Sequence, residues 1–477
     1  MARLAIVDAN EKTSAAYAED YVASIVGHWL SWECRRAGVS LVDPKTADII
    51  LLVHAGAKNY SAASRRALRS IGVEPAPAKR GAEPYVITGG GVSANPFHAL
   101  DTADAVAIGE AFAFMRGLLP LIAAGKTLEE IRSWVSAYPY ALDRRQIASL
   151  GRDVARPWLL AAPAPTLAEP DTYIDWHVPP IRNDDKVVQL IVAKGCPNKC
   201  LFCSTSWQQI YQFQEDGQYV TRQMTRLQAA KERVRLVSND PAAPPWFTDI
   251  DSKLDAQSFS YRALKNRRSR AAMYAARPSS CRLGVEGLSE RIRYAFRKPI
   301  PTAGLVELLE NIHTNHVHSH LFFVPCAPYE AESDWAEFRE LYYEFSRAIK
   351  WGICRVKMTT FDPAPPAPLA RFVPGRDMRG QVDLFKDWMA RQSASRHVFV
   401  IWPQGEKSIA IDVADFLAAP LELVKSWVGG AGTVDLSPTI EDAERLPWEI
   451  VKWPWPPAAR WRAAEHYRLA LDSTPPI

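Results

Sequence analysis

Hydrophobic and polar positions along this chain alternate in blocks. Leu4 to Val7 reads as a short buried strand, Ser14 to Ala37 carries the period of a helix, and Asp48 to His54 is again a buried strand. Ala62 to Ile71 predicts the next helix. Tyr85-Val86-Ile87-Thr88 then runs into Gly89-Gly90-Gly91, and Ala105-Val106-Ala107-Ile108 into Gly109-Glu110. Strand and helix in turn predict a layered α/β domain over residues 1–150. Glycines directly after a buried strand let backbone approach a ligand or a neighbouring element. Residues 151–185 interrupt the pattern with Arg156-Pro157, Ala162-Pro163-Ala164-Pro165, Glu169-Pro170 and Pro179-Pro180, the composition of a stiff connector.

From Lys186 the apolar runs return with helical stretches between them. Val187 to Ala193, Val234 to Val237, Ser258 to Arg262, Cys281 to Gly287, His320 to Val324 and Cys354 to Thr359 give six strands, as a parallel barrel over residues 186–395 requires. In such a barrel the chemistry collects at the carboxyl ends of the strands. A further strand is expected at Val398 to Trp402. The last stretch, 396–477, holds Trp427, Trp448, Trp453, Trp455 and Trp461 among prolines, which predicts a carboxyl-terminal cap.

A length of 477 residues is too great for one ordinary core. The formal net charge of +4 neither demands nor excludes a polyanionic partner. One local excess stands out, in the tract from Arg262 to Arg277 with Lys265, Arg267, Arg268 and Arg270, which reads as a phosphate-facing surface or a solvated helix face. No membrane partner is expected, because the longest apolar region, Ala103 to Ala124, is broken by Asp104, Glu110 and Arg116. The amino terminus enters a strand directly, without signal-peptide sections. Cys34, Cys281, Cys326 and Cys354 are scattered singly, which fits a reducing cytoplasm.

The remaining three of seven cysteines fall together, in Gly195-Cys196-Pro197-Asn198-Lys199-Cys200-Leu201-Phe202-Cys203-Ser204, after the first barrel strand. Thiolates at this spacing are ligands for an iron–sulfur cluster. A four-iron cluster normally takes four such ligands, so a loop that supplies three leaves one iron open to something other than protein. The alternatives are a zinc knuckle, for which the next downstream histidine is as distant as His313, and unliganded core thiols.

Cys-x-x-x-Cys-x-x-Cys on such a loop, with Phe202 before the last cysteine, resembles the signature of the radical S-adenosylmethionine superfamily. The resemblance implies a 4Fe-4S cluster on Cys196, Cys200 and Cys203, S-adenosylmethionine on the open iron, and a flavodoxin- or ferredoxin-type electron donor. Gly284-Val285-Glu286-Gly287-Leu288-Ser289-Glu290-Arg291, followed by Arg297-Lys298-Pro299, is similar to the fourth-strand motif of the branch that carries an amino-terminal cobalamin-binding domain. It implies that Glu286 lies beside S-adenosylmethionine; the alternative is a carboxylate paired with Arg262 or Arg282. By the same resemblance Ser238, Asn239 and Asp240 stand where relatives bind the methionine amino group, although the usual Gly-Gly-Glu is absent.

The fold so implied is a Rossmann-like (flavodoxin-like) domain, a partial (β/α)6 barrel and a Trp/Pro-rich carboxyl-terminal cap. Cobalamin is left open as a further cofactor, since the loop Asp8-Ala9-Asn10-Glu11-Lys12-Thr13 offers no imidazole where members with a histidine cobalt ligand have one. Taken whole, the pattern is most similar to bacteriophage radical isomerases that rearrange a glycyl substituent on thymine in DNA hypermodification. Modified thymine in DNA is then the expected substrate, and the host cytoplasm the expected place. A cobalamin-dependent methyltransferase and a non-catalytic iron–sulfur redox sensor are the two other readings.

Overall fold

The computed structural model describes residues 2–9, 25–53, 60–81, 84–90, 96–100, 102–144, 174–182, 187–250, 252–359, 361, 366–372, 379–391, 396–401 and 457–473. The chain divides into two compact units, one of 1–184 with 364–366 and 414–456, the other of 185–363 with 367–413 and 457–477. Most of the proline-rich connector and the tryptophans at 427, 448, 453 and 455 lie outside the described residues, as does Asn10 to Thr13.

The first unit is a sheet with helices on both faces. Its elements are β1 (Leu4–Asp8), α1 (Ile25–Arg36), β2 (Ile49–Val53), α2 (Tyr60–Ser70), β3 (Tyr85–Thr88), β4 (Ala105–Ala107), α3 (Ala111–Ala123), α4 (Leu128–Ala137) and β5 (Ala141–Asp143). Strands β1 to β4 pair in parallel in chain order, and β5 closes the edge antiparallel. Every residue of β1, β2 and β3 is buried, as befits strands covered on two sides. Alternate side chains go to opposite cores. Val7, Leu52 and Val86 join Ala67 and Leu68 of α2, while Leu4, Leu51 and Ile87 join Leu30 of α1 and Leu118 of α3. Leu41 makes one parallel bridge to Leu4 on the free edge of β1. Counted as a rudimentary second strand, it gives the 2-1-3-4-5 order of a flavodoxin-like sheet.

The second unit has a single core. Its strands are β6 (Val187–Ile191), β7 (Arg233–Val237), β8 (Gln257–Phe259), β9 (Ser280–Glu286), β10 (His318–Phe323), β11 (Cys354–Met358) and β12 (Val398–Ile401). β6 pairs with β7, and β8 through β12 pair successively, all in parallel. The two ladders are joined by a side chain. Buried Gln257 accepts from Leu236 N at 3.1 Å and donates to Leu236 O at 2.7 Å, so its amide stands in for a rung between β7 and β8. The six expected barrel strands are therefore neighbours in sequence order, with β12 added at the end.

The third strand is shorter than its sequence suggests. Ser260 Oγ accepts from Ala263 N at 3.0 Å and caps α6 (Tyr261–Lys265), so Tyr261 and Arg262 open a helix instead of ending a strand. Helix α7 (Arg267–Ala276) follows at once, with α8 (Glu290–Ala295), α9 (Thr302–Thr314) and α10 (Glu332–Ala348) after the next strands. The final described element, α11 (Pro457–Ser473), belongs to this unit and buries Ala463, Ala464, Tyr467 and Leu471. No described helix is long and apolar enough to cross a membrane.

Candidate functional site around the cysteine loop

Because the strands are parallel, the carboxyl ends of β6, β7, β8 and β9 share one edge, and the cysteine loop leaves from it. Residues 193–194 first pair antiparallel with 212–213, which turns the chain. Gly195 then takes φ +67°, and a Cβ there would stand 2.7 Å from Ile210 O and 3.1 Å from Tyr211 Cα. Only glycine fits this turn.

The loop is held on several sides. Asn239, at the end of β7, donates its amide to Gly195 O at 2.7 Å. Leu201 N donates to Phe296 O at 3.2 Å, Leu201 O accepts from Leu369 N at 3.0 Å, and Cys200 O accepts from the Trp207 indole at 2.9 Å. Phe202 lies against Phe296 with centroids 4.8 Å apart, and Phe296 stacks on Tyr467 of α11 at 5.7 Å and 16°. Phe202 thus fixes the loop by packing.

Asp240 is buried and supports the same loop. Its carboxylate accepts from Ser260 Oγ at 2.5 Å and from Asn198 Nδ2 at 3.4 Å, while its own N–H goes to Ser238 Oγ at 3.1 Å. Burial raises the Asp240 carboxyl above the ordinary range against these hydrogen bonds. Asn198 Nδ2 is also 3.7 Å from Cys196 Sγ, which makes it an N–H donor to that sulfur. Ser238, Asn239 and Asp240 therefore stand together just after β7. Their side chains are already engaged in holding the turn, the cap of α6 and Asn198.

Glu286 ends β9 at a register shift between Gly284 and Glu286 and has φ +72°. Its partner is Lys298, not Arg262 or Arg282. Lys298 Nζ donates to Glu286 Oε1 and to Gly284 O, each at 2.7 Å. A Cβ on Gly284 would overlap Glu286 Oε1 and come within 2.6 Å of Lys298 Nζ, so the glycine makes room for the pair. Burial acts to lower the Lys298 ammonium, but the Glu286 carboxylate and the Cys200 and Cys203 thiols beside it raise it further. Lys298, within the quoted fourth-strand segment, is the site residue that the sequence reading passed over.

Cys200 is buried, and Cys196 and Cys203 are half-buried. Burial pushes the Cys200 thiol up to about 12 and raises Cys196 as well, so both favour the protonated form until a cation compensates the thiolate. Among the described residues no group of three His, Cys, Asp or Glu side chains is arranged to hold a metal ion. The donor chemistry of the loop nevertheless suits an iron–sulfur cluster: three thiols, an N–H aimed at one sulfur, and the Lys298 ammonium close to the other two. Cys326 packs in the core with φ +62°, and its N–H goes to Glu330.

No family model matches this sequence, and no curated protein matches it. Among solved structures the chain is similar to the cobalamin-dependent S-adenosylmethionine radical enzyme OxsB with aqua-cobalamin and S-adenosylmethionine bound, at TM-score 0.49 and 10% identity over 84% of this chain and 58% of that one. With aqua-cobalamin alone the same enzyme gives 0.47 and 10% over 72% and 52%. Streptococcus suis SuiB bound to S-adenosylmethionine gives 0.29 and 10% over 46% and 49%. The chain thus spans a little over half the length of the OxsB chains. At these TM-scores the likeness carries no argument about chemistry.

Proposed function

We propose that this protein is a radical S-adenosylmethionine enzyme whose 4Fe-4S cluster is held by Cys196, Cys200 and Cys203. The observation that supports this most directly is the Cys-x-x-x-Cys-x-x-Cys loop at the carboxyl end of the first of seven parallel strands, with the Glu286–Lys298 pair beside it. When bound, cluster and S-adenosylmethionine supply one-electron cleavage of the sulfonium and a carbon radical that takes hydrogen from a substrate.

The chain's own residues do the positioning. Asn198 gives Cys196 a hydrogen bond, Phe202 locks the loop against Phe296, and Lys298 places positive charge where thiolates accumulate negative charge. Glu286 is held by Lys298 with one carboxylate oxygen, Oε2, outside that ion pair, and that oxygen is the natural acceptor for a cofactor hydroxyl or ammonium. Buried Asp240 and the hydroxyl of Ser238 fix the adjoining strand end.

The finer reading is a radical isomerase acting on a glycyl substituent of thymine in DNA. Loss of hydrogen from the glycyl α-carbon, transfer of the thymine methylene from the glycyl nitrogen to that carbon and return of the hydrogen to the nitrogen break one C–N bond, form one C–C bond, conserve every atom and need no second oxidant. The absence of histidine from the Asp8 to Thr13 loop favours it. Cobalamin-dependent methyl transfer is the second reading, supported by the flavodoxin-like strand order that the Leu41 bridge creates.

Anaerobic reconstitution with iron and sulfide, reduction in the presence of S-adenosylmethionine and quantitation of 5'-deoxyadenosine test the proposal. Wild type is expected to release deoxyadenosine and the variant Cys196→Ala, Cys200→Ala, Cys203→Ala to release none. A fully loaded cluster that leaves S-adenosylmethionine intact would sink the proposal and favour a sensor.

A further inference from the structure

Between Asp255 and Glu286 the chain has no acidic residue, yet it carries seven basic ones; Arg282 lies within β9, and the other six are Arg262, Lys265, Arg267, Arg268, Arg270 and Arg277. Helices α6 and α7 display the first five, and Arg277 follows as the C-cap of α7. Arg262, Lys265, Arg267, Arg268 and Arg277 are exposed and Arg270 is half-buried, while Leu264, Ala272, Met273 and Ala276 turn inward. Among the described residues none of the six makes a salt bridge. Elsewhere surface cations are commonly paired, as Arg3 is with Asp48, Lys126 with Glu130, Arg222 with Asp216 and Arg468 with Glu465.

The arrangement opposes local stability. Arg267 and Arg268 occupy the first turn of α7, where the helix dipole repels cations, and that turn contains no acid. Arg267 and Arg270 add like charge at i and i+3. Asn266 caps this turn by accepting from Arg268 N and Ser269 N, but no acidic side chain within the helix offsets the charge, whereas an external anion would.

We infer that this ridge is a docking surface for the phosphate backbone of a nucleic-acid strand. Helix α7 is about 15 Å long, the span of roughly four phosphates along a strand. A lipid surface is a poorer match, because Leu264 and Met273, the large aliphatic residues of the two helices, are both buried and not available to insert. The ridge also starts at the site. Ser260, the cap of α6, donates to Asp240, which holds Asn198 of the cysteine loop, so a strand lying along Arg262 to Arg268 passes the carboxyl ends of β7 and β8. Tyr294, 47% exposed on α8 and within electrostatic reach of Tyr261, offers a plane on which a base can stack. Glu290 and Glu307 also act on Tyr261, and Glu290 is engaged by Thr302 N. The assignment deepens the proposed function by naming a polymeric substrate, but the binding itself needs no radical chemistry.

The test is fluorescence anisotropy of the reconstituted protein with a labelled DNA single strand and with its duplex, over a range of salt. The quadruple variant Arg262→Gln, Lys265→Gln, Arg267→Gln, Arg268→Gln is expected to bind about tenfold more weakly at moderate salt. Its plot of log affinity against log salt should flatten by roughly 0.7 per lost contact on the single strand. Iron content and circular dichroism of the variant report whether it folds, and the single variant Arg267→Gln is a milder second probe. Wild-type affinity in both variants, no binding by wild type, or equal competition by polyglutamate or by anionic lipid vesicles would overturn the assignment. Deoxyadenosine release, measured separately, decides the radical reading whichever way binding falls.

Discussion

At the scale of single residues, the site is organised by a half-buried pair that only half shows in the sequence. Glu286 is legible because it stands in a recognisable segment. Its partner is not, because the arginines Arg262 and Arg282 are equally plausible partners by sequence, whereas the irregularity between Gly284 and Glu286 accompanies a carboxylate paired with Lys298. A half-buried carboxylate left without its cation is costly, so Lys298→Met is expected to destabilise the second unit by about 2 kcal/mol. Glu286→Gln placed on top of it should recover much of that loss, because the orphaned charge then disappears. Thermal unfolding of the two singles and the double closes this cycle. A double variant no more stable than Lys298→Met would show that the pair is not what the lysine supports. The glycines divide similarly. Gly195 is required by its φ and its contact with Ile210, whereas a Cβ on Gly89 would stand 2.9 Å from Ala107 O, so the glycine after β3 serves strand packing.

At the scale of elements, apolar runs mark each parallel strand of the second unit, with β8 ending earlier than its run, but what joins the two ladders is beyond the reach of periodicity. Gln257 looks like any polar residue in a strand until its amide is found bridging Leu236. The turn after β10 is another case. Cys326 N and Ala327 N donate to Glu330 at 3.1 and 3.3 Å, the Trp335 indole donates at 2.7 Å, and Tyr467 OH of α11 closes the turn onto Pro328 O at 2.6 Å. Burial pushes Glu330 up to about 8 against the pull of those donors, from an ordinary 4.5. The sign follows from proton binding. Between pH 4.5 and 8 the folded chain keeps a proton that the unfolded chain releases, so the stability supplied by this group is full below 4.5 and falls as pH rises toward 8. Melting temperatures of wild type and Glu330→Gln across that window should therefore separate, with wild type losing ground as pH rises. A constant difference would mean that the carboxylate is ionised throughout. The role of α11 was illegible because Tyr467 meets Phe296 across a long sequence gap, where no periodicity reports contact.

At the scale of the whole molecule, the chain divides into two units, the first with a core on each face of its sheet and the second with one. Covered parallel strands read as apolar runs wherever they occur, so the strands of both units are legible in the sequence. Those runs do not show that the chain returns at 457–473 to pack on the second unit, since that depends on which surface the last helix meets. The cysteine loop belongs wholly to the second unit, with its supports Asn239, Phe296 and Tyr467. Iron and sulfide bound there stabilise the state that holds them and not its unfolded form, by about 2.7 kcal/mol at a free concentration one hundred times the dissociation constant. Calorimetry of the protein before and after anaerobic loading should then show one transition moving up and another unmoved, with the movement abolished in Cys203→Ala. Equal movement of both transitions would mean that the units unfold together, and no movement despite bound iron would place the metal elsewhere than on this loop.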